Sequence, residues 1–129
     1  MSKVERLSKA ALQKILSGNV TEDTTCFVKF YSNTCPMCHN LRNSYIDIAE
    51  EYLTATKERE QNKLRFFAFN IDDYPEAERV LNFQGVPTVV MIKTSKKRPR
   101  ILTLADPPKP NQDTWYNLGD IKTFIEKEI

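Results

Sequence analysis

The chain has 129 residues, which is enough for one domain with a hydrophobic core and too few for two. Its composition, 40% hydrophobic and 28% charged, is ordinary for a globular protein. The formal net charge of +2 is too small to indicate a class of partner, so nucleic acid binding is not expected. We therefore expect a single globular domain over residues 1–129 that acts as a monomer.

The number of cysteines and the hydropathy of the chain indicate the cellular compartment of the protein. Three cysteines are too few for a disulfide-rich secreted scaffold. No apolar stretch approaches the length of a membrane span, and residues 1–6 lack the apolar core of a signal peptide. The sequence therefore predicts a cytoplasmic protein that does not contact a membrane.

The first predicted element is an N-terminal helix. Ser2 and Glu5 have the spacing of a capping box. Apolar residues then recur at helical spacing at positions 4, 7, 11, 12, 15 and 16, and Gly18 is a natural terminator. The pattern predicts a helix that begins at the capping box and ends before Gly18.

A strand predicted for Thr25–Tyr31 then leads through a short polar turn to two cysteines, Cys35 and Cys38. A helical pattern begins directly after Cys38 and continues to about Glu60. Cys35 therefore lies at a helix N-terminus, where unpaired N–H groups and the helix dipole favour a thiolate. Cys38, one turn further along, is close enough to attack a mixed disulfide formed at Cys35. This spacing favours thiol–disulfide exchange.

The same cysteines allow two other interpretations. Residues 35–39 also fit the Cys-x-x-Cys-His pattern of c-type haem attachment. Haem attachment is typical of mostly helical, exported chains, whereas this chain has strong strand patterns. Zinc needs four ligands, and beyond the pair only Cys26 and His39 are candidates. Cys26 is expected to be a small buried core residue, so redox chemistry without a metal is preferred.

The rest of the chain alternates strands and helices. The aromatic run Leu64–Ile71 predicts a second strand, and Pro75–Asn82 predicts a short helix. A hairpin and a final helix follow, at Thr88–Lys93, Arg100–Leu104 and Asp120–Ile129.

Two polar segments have more than one interpretation. Residues 93–100 hold five basic side chains, which fit a solvated hairpin tip or a site for an acidic or nucleic-acid partner. Residues 105–116 form a stiff loop, with three prolines within residues 107–110. This loop either reshapes a neighbouring substrate groove or is pinned to the last helix by Trp115 and Tyr116.

Two further motifs give the chain a family resemblance. Asn-Ile-Asp at 70–72 ends the second strand, and Gly-Val-Pro-Thr at 85–88 precedes the third. Together with the cysteine pair at 35–38, their order and separation resemble the thioredoxin family over most of residues 20–129. The resemblance implies a three-layer α/β fold, with helices on both faces of a mixed sheet. We expect four strands, because only Met1 and Ser2 precede the first predicted helix and the usual N-terminal strand has no room.

The resemblance also implies roles for individual residues. Cys35 would be the nucleophile and Cys38 the resolving cysteine. The bond between Val86 and Pro87 would be cis, and its backbone would pair with an extended substrate. The residues expected to contact substrate are Thr34, Pro36, Met37, Val86 and Pro87.

Lys29 is the main departure from the family pattern. Thioredoxins carry a buried acid six residues before the first cysteine, where this chain has Lys29, and an aromatic residue just before that cysteine, where it has Thr34. A charged ammonium near two sulfurs would lower both thiol pKa values, unless burial neutralises it first. We therefore assign Lys29 a pKa-tuning role.

The function predicted from these residues is protein dithiol–disulfide oxidoreductase, with Cys35–Cys38 as the redox-active disulfide and no other cofactor or metal. Its partners would be protein disulfide substrates, and a reductase or glutathione would donate electrons. A glutathione-dependent, glutaredoxin-like enzyme is one alternative, although Leu118–Asp120 is a weak match for a glutathione-binding turn. A redox-inactive binding module with the same fold is the other.

Overall fold

The computed structural model describes residues 3–56 and 63–129. Within these residues five strands form one mixed sheet, in the spatial order β1-β3-β2-β4-β5. The strands are β1 (Val4–Arg6), β2 (Thr25–Tyr31), β3 (Leu64–Asn70), β4 (Thr88–Lys93) and β5 (Arg100–Thr103). β3 is parallel to both β1 and β2, whereas β4 is antiparallel to β2 and β5. The predicted bounds of β2 and β4 are confirmed.

The prediction of four strands was wrong, because a short edge strand, β1, precedes the first helix. Val4 pairs with Phe66 and Arg6 pairs with Ala68, so β1 extends the sheet beyond β3. The helix that was predicted to begin at the capping box of residues 2–5 begins only at Lys9. Ser8 caps it, since its Oγ accepts a hydrogen bond from the Ala11 N–H at 3.1 Å. The predicted capping residue Ser2 lies outside the described residues.

Four α-helices cover the sheet in the described residues: α1 (Lys9–Leu16), α2 (Pro36–Ala55), α3 (Ala77–Leu81) and α4 (Leu118–Glu128). A short 3-10 helix (Ile71–Asp73) precedes α3. The predicted long helix stops at Ala55, because Thr56 already has an extended backbone. The rest of its predicted span, residues 57–60, lies outside the described residues.

β2 is the central strand, and its two faces bury different cores. Phe27 faces the core that α2 and α4 cover, which includes Tyr45 and Ile121. Val28 faces the opposite core, which includes Leu12 and residues of α3. Because successive strand residues point to opposite faces, a strand buried on both sides must be apolar almost throughout. These two cores give the predicted arrangement of three layers.

The basic hairpin of residues 93–100 packs against the end of α4 where it joins the two strands, and its tip is exposed. Lys93 and Arg100 lie 4.0 and 3.5 Å from Glu128, which is largely buried. Residues 96–98 are exposed. Gly18, with φ of +78°, fits closely under the tip, since a Cβ there would lie 3.0 Å from the Lys96 carbonyl oxygen.

The proline-rich loop is anchored at both ends. Tyr116 is fully buried, and its hydroxyl donates a hydrogen bond to the Leu104 carbonyl oxygen at 3.3 Å. The Trp115 indole lies 3.3 Å from an Asp106 carboxylate oxygen. The loop also reaches α2, where the Asn40 side chain donates to the Asp113 carbonyl oxygen at 2.8 Å. The loop is therefore attached to the helix that carries both cysteines.

Candidate active site

The cysteine pair lies at the N-terminus of α2, after the turn that follows β2. Cys35 is the N-cap of α2 with an extended backbone, Pro36 fills the first helical position, and Cys38 completes the first turn. A disulfide joins Cys35 to Cys38, with their Cα atoms 5.2 Å apart. The Cys38 N–H also points at the Cys35 sulfur, at 3.1 Å. This N–H is one of the free donors of the helix end, which would stabilise a thiolate at Cys35 after reduction.

The three cysteines differ in their access to solvent. Cys35 is half-buried, whereas Cys38 and Cys26 are each only 2% exposed. Cys26 is a free thiol in the core on the far side of the sheet, and burial raises its pKa to about 12. Only Cys35 therefore combines access with a thiolate-stabilising donor.

Selective alkylation is the first expected result. Brief iodoacetamide treatment of the reduced protein at neutral pH should modify Cys35 at least tenfold faster than Cys38 or Cys26, because thiolate content and access both favour it. Peptide mass mapping at several short times measures the three rates. Faster labelling of Cys26 would contradict the assignment of the nucleophile.

The segment before β4 faces the disulfide. The Val86–Pro87 peptide bond is cis, and the Val86 carbonyl oxygen lies 3.7 Å from the Cys35 sulfur. Gly85, with φ of +79°, makes the turn, and the Thr88 hydroxyl closes it by donating to the Gly85 carbonyl oxygen at 2.7 Å. Val86 is half-buried, and Pro87 is buried. The structure thus brings Val86 and Pro87 to the disulfide.

The other residues predicted to contact substrate surround the disulfide at the surface. Thr34 and Pro36 are exposed, and Met37 is half-buried. The Thr34 hydroxyl lies 3.1 Å from the Ser32 hydroxyl, which holds the turn. These residues form the accessible surface next to Cys35.

Lys29 lies beneath the pair, on the α2 face of β2, and only 4% of it is exposed. Its Nζ is 5.4 Å from the centre of the Tyr45 ring and 5.7 Å from that of Tyr31. Among the described residues no carboxylate or hydrogen-bond acceptor pairs with it. Burial lowers the pKa of Lys29 to about 8, and the nearby Arg42 guanidinium contributes. Lys29 is therefore mostly charged at neutral pH.

Lys29 and Cys38 line the same cavity, which has a volume of about 320 Å³. Three cationic or titratable side chains of its rim are exposed: Arg6, His39 and Arg42. Arg42 was not predicted as a site residue, although it lies four residues after Cys38 and so on the same face of α2. Helical spacing alone would have indicated it.

Comparison with known proteins agrees with this geometry. Residues 3–106 match the sequence model of the thioredoxin family. The chain belongs to the thioredoxin family. Solved thioredoxin-fold structures resemble it over nearly its whole length, at low sequence identity.

Three of these structures show how far the shared fold extends. Chloroplastic thioredoxin z has a TM-score of 0.61 and 20% identity, with 98% of this chain and 95% of that one covered. The first thioredoxin domain of mouse protein disulfide-isomerase A4 has a TM-score of 0.68 and 13% identity, with 98% and 76% covered. The J-Trx1 fragment of ERdj5 has a TM-score of 0.62 and 18% identity, with 97% and 49% covered. The chain thus spans about half of that last fragment.

Metal sites and membrane-spanning helices are two other features that a thioredoxin-family chain could carry. In the part of the chain that the structure describes, no three His, Cys, Asp or Glu side chains are grouped to hold a metal ion. No helix there is both long and apolar enough to cross a membrane.

Proposed function

We propose that this protein exchanges disulfides with protein substrates through Cys35 and Cys38. One observation carries the proposal: the two cysteines are linked at the N-terminus of α2, with the more accessible sulfur against the Val86 carbonyl. Membership of the thioredoxin family supports thiol–disulfide oxidoreductase chemistry in general.

The reaction divides into two exchange steps. In the reduced protein the Cys35 thiolate attacks a substrate disulfide, which forms a mixed disulfide and releases one substrate thiolate. The Cys38 thiolate then attacks the Cys35 sulfur and releases the second substrate thiolate, which takes up a proton. The Cys35–Cys38 disulfide is left in the protein, and two electrons have passed to the substrate. A reductase or glutathione must supply two electrons to restore the dithiol.

Substrate positioning would come from the backbone beside Cys35. An extended substrate could pair with the Val86 backbone, while Thr34, Pro36 and Met37 contact the residues around its disulfide. We further propose that the protein acts as a monomer in the cytoplasm, in electron transfer to protein disulfides, and needs no cofactor beyond Cys35–Cys38.

Insulin reduction tests the proposal directly. The wild-type protein should catalyse reduction of insulin disulfides by dithiothreitol, read as turbidity from the precipitating B chain. Cys26→Ala is the matched control, because it removes the one thiol that lies outside the pair, and it should retain the activity. The double variant Cys35→Ser/Cys38→Ser should be inactive. An inactive wild type would favour a redox-inactive binding module, and turnover only with glutathione would favour a glutaredoxin-like enzyme.

Lys29 should set the reduction potential, which is a further expected result. A charged Lys29 stabilises thiolates and hence the dithiol form, so the disulfide is more oxidising. Lys29→Met should make the potential more negative by about 30 mV or more, and 30 mV corresponds to roughly 1.4 kcal/mol. Lys29→Asp should lower it further. Equilibration with glutathione buffers at pH 7 measures all three proteins, and equal potentials would contradict the tuning role.

A further inference from the structure

The cavity beneath the disulfide is lined by both cationic and apolar side chains. Lys29 and Arg42 supply the charge, together with Arg6 at the rim. Val4, Ile46, Ala68 and the Tyr45 ring supply apolar surface. No Asp or Glu of the described residues lines the cavity. This pattern suits a ligand with a negative head and an apolar body.

Two of the three cations have no anionic partner. The Arg6 guanidinium is 3.0 Å from an Asp73 carboxylate oxygen, so its charge is already compensated. Neither Lys29 nor Arg42 forms a salt bridge with any residue in ranges 3–56 and 63–129. Lys29 is also 96% buried, since 4% of it is exposed. Among the described residues the Lys29 ammonium has only the Tyr31 and Tyr45 rings beside it to stabilise its charge. An anion in the cavity would supply the ionic partner that it lacks.

We propose that this cavity binds a small organic carboxylate, whose carboxylate group lies between Lys29 and Arg42. A volume of about 320 Å³ lies at the lower end of the roughly 300–1,000 Å³ that is typical of small-molecule sites, so the ligand must be small. The apolar body would pack against Val4, Ile46 and the Tyr45 ring. A guanidinium and an ammonium together match the two oxygens of a carboxylate.

The apolar walls distinguish this ligand from an inorganic oxyanion. Phosphate or chloride would meet the same two cations but would leave the walls around Val4 and Ile46 without contacts. An uncharged molecule of the same shape would contact the apolar walls but would leave Lys29 without an anionic partner. Only an amphipathic anion satisfies both parts of the cavity.

Carboxylate binding can be measured separately from disulfide exchange, because the Cys35–Cys38 disulfide is intact in the structure that shows the cavity. It can therefore be measured on the oxidised protein without any electron donor. A negative result in the insulin assay would leave this measurement unaffected, and the reverse also holds.

Benzoate, with nine non-hydrogen atoms, is the probe of choice. Titration of the oxidised, ¹⁵N-labelled protein at pH 7 should give saturable shifts at the Lys29, Cys38 and Arg42 amides, with a Kd on the order of 1 mM. Benzyl alcohol and phosphate serve as the uncharged and the inorganic controls. Each should bind at least tenfold more weakly.

Variants locate the site. Lys29→Met and Arg42→Gln should each weaken benzoate binding at least tenfold, while Lys96→Met, which removes an exposed lysine of the hairpin, should leave it unchanged. The proposal is overturned if benzoate gives no saturable shift at tenfold higher concentration, or if its shifts map away from the cavity. Equal binding of phosphate or benzyl alcohol, or equal loss in Lys96→Met, would also overturn it.

Discussion

Cys35→Ser should reduce insulin reduction to the uncatalysed rate, whereas Cys38→Ser should convert the protein into a trap for its substrates. The first variant lacks the attacking thiolate, because a serine hydroxyl is not ionised near neutral pH and cannot attack a disulfide. The second variant retains Cys35 at the helix N-terminus but lacks the sulfur that resolves the mixed disulfide. Their turnover defects are similar, so turnover alone does not distinguish the two roles.

Mixed disulfides with a substrate distinguish the attacking role of Cys35 from the resolving role of Cys38. After incubation with a protein disulfide substrate, Cys38→Ser should accumulate a covalent adduct through Cys35, visible by non-reducing electrophoresis and removed by dithiothreitol. Cys35→Ser should accumulate none, because the remaining Cys38 is only 2% exposed. Both variants are best made in the Cys26→Ala background, so that no third thiol contributes. Normal turnover by Cys38→Ser would rule out the two-cysteine mechanism.

The parts of the fold that were predicted correctly have local signals. β2 is apolar almost throughout because both faces are buried, and its bounds matched the prediction. β1 was missed because it has only three residues and exists through pairing with β3, whose paired residues lie 62 positions further along the chain. Its apolar Val4 fitted the stripe of the following helix equally well. No local pattern separates those two possibilities.

The candidate site likewise has parts that local sequence patterns predict and parts that depend on contacts between distant segments. The sequence predicted Cys35 at a helix N-terminus, because strand and helix patterns adjoin at the cysteine pair. The link between Asn40 and Asp113 joins segments 73 residues apart, and the loop carries no periodic pattern that could indicate it. The charge of the cavity also depends on the convergence of β1, β2 and α2, which only the tertiary structure shows.

Removing the buried charge should stabilise the protein. Lys29→Met keeps the length and most of the apolar contacts of the side chain but removes an ammonium that has no anionic partner in the described structure. The pKa of Lys29 falls from 10.5 to about 8 on folding, a difference worth about 3 kcal/mol when the lysine is charged. At pH 7 the free energy of unfolding of Lys29→Met should therefore exceed that of the wild type by roughly this amount.

The pH dependence gives the prediction its sharpest test. Below pH 8 Lys29 is protonated in both the folded and the unfolded state, and the wild type bears the full free-energy cost of burying the charged lysine. Between about pH 8 and 10.5 the folded protein releases a proton that the unfolded chain still holds, so wild-type stability rises relative to Lys29→Met. Above this range the amine is neutral in both states, and the advantage of the variant disappears.

Urea denaturation of the oxidised proteins from pH 7 to 10 measures this difference. Both proteins should carry Cys26→Ala, because a free thiol exposed in the unfolded chain at high pH would attack the Cys35–Cys38 disulfide. Other groups with shifted pKa values, such as Tyr116, are common to both proteins and cancel in the difference. Lys96→Met, at an exposed position, should have almost no effect at any pH. A Lys29→Met advantage that stays constant from pH 7 to 10 would show that Lys29 does not change its protonation on folding, which would contradict the lowered pKa assigned to it.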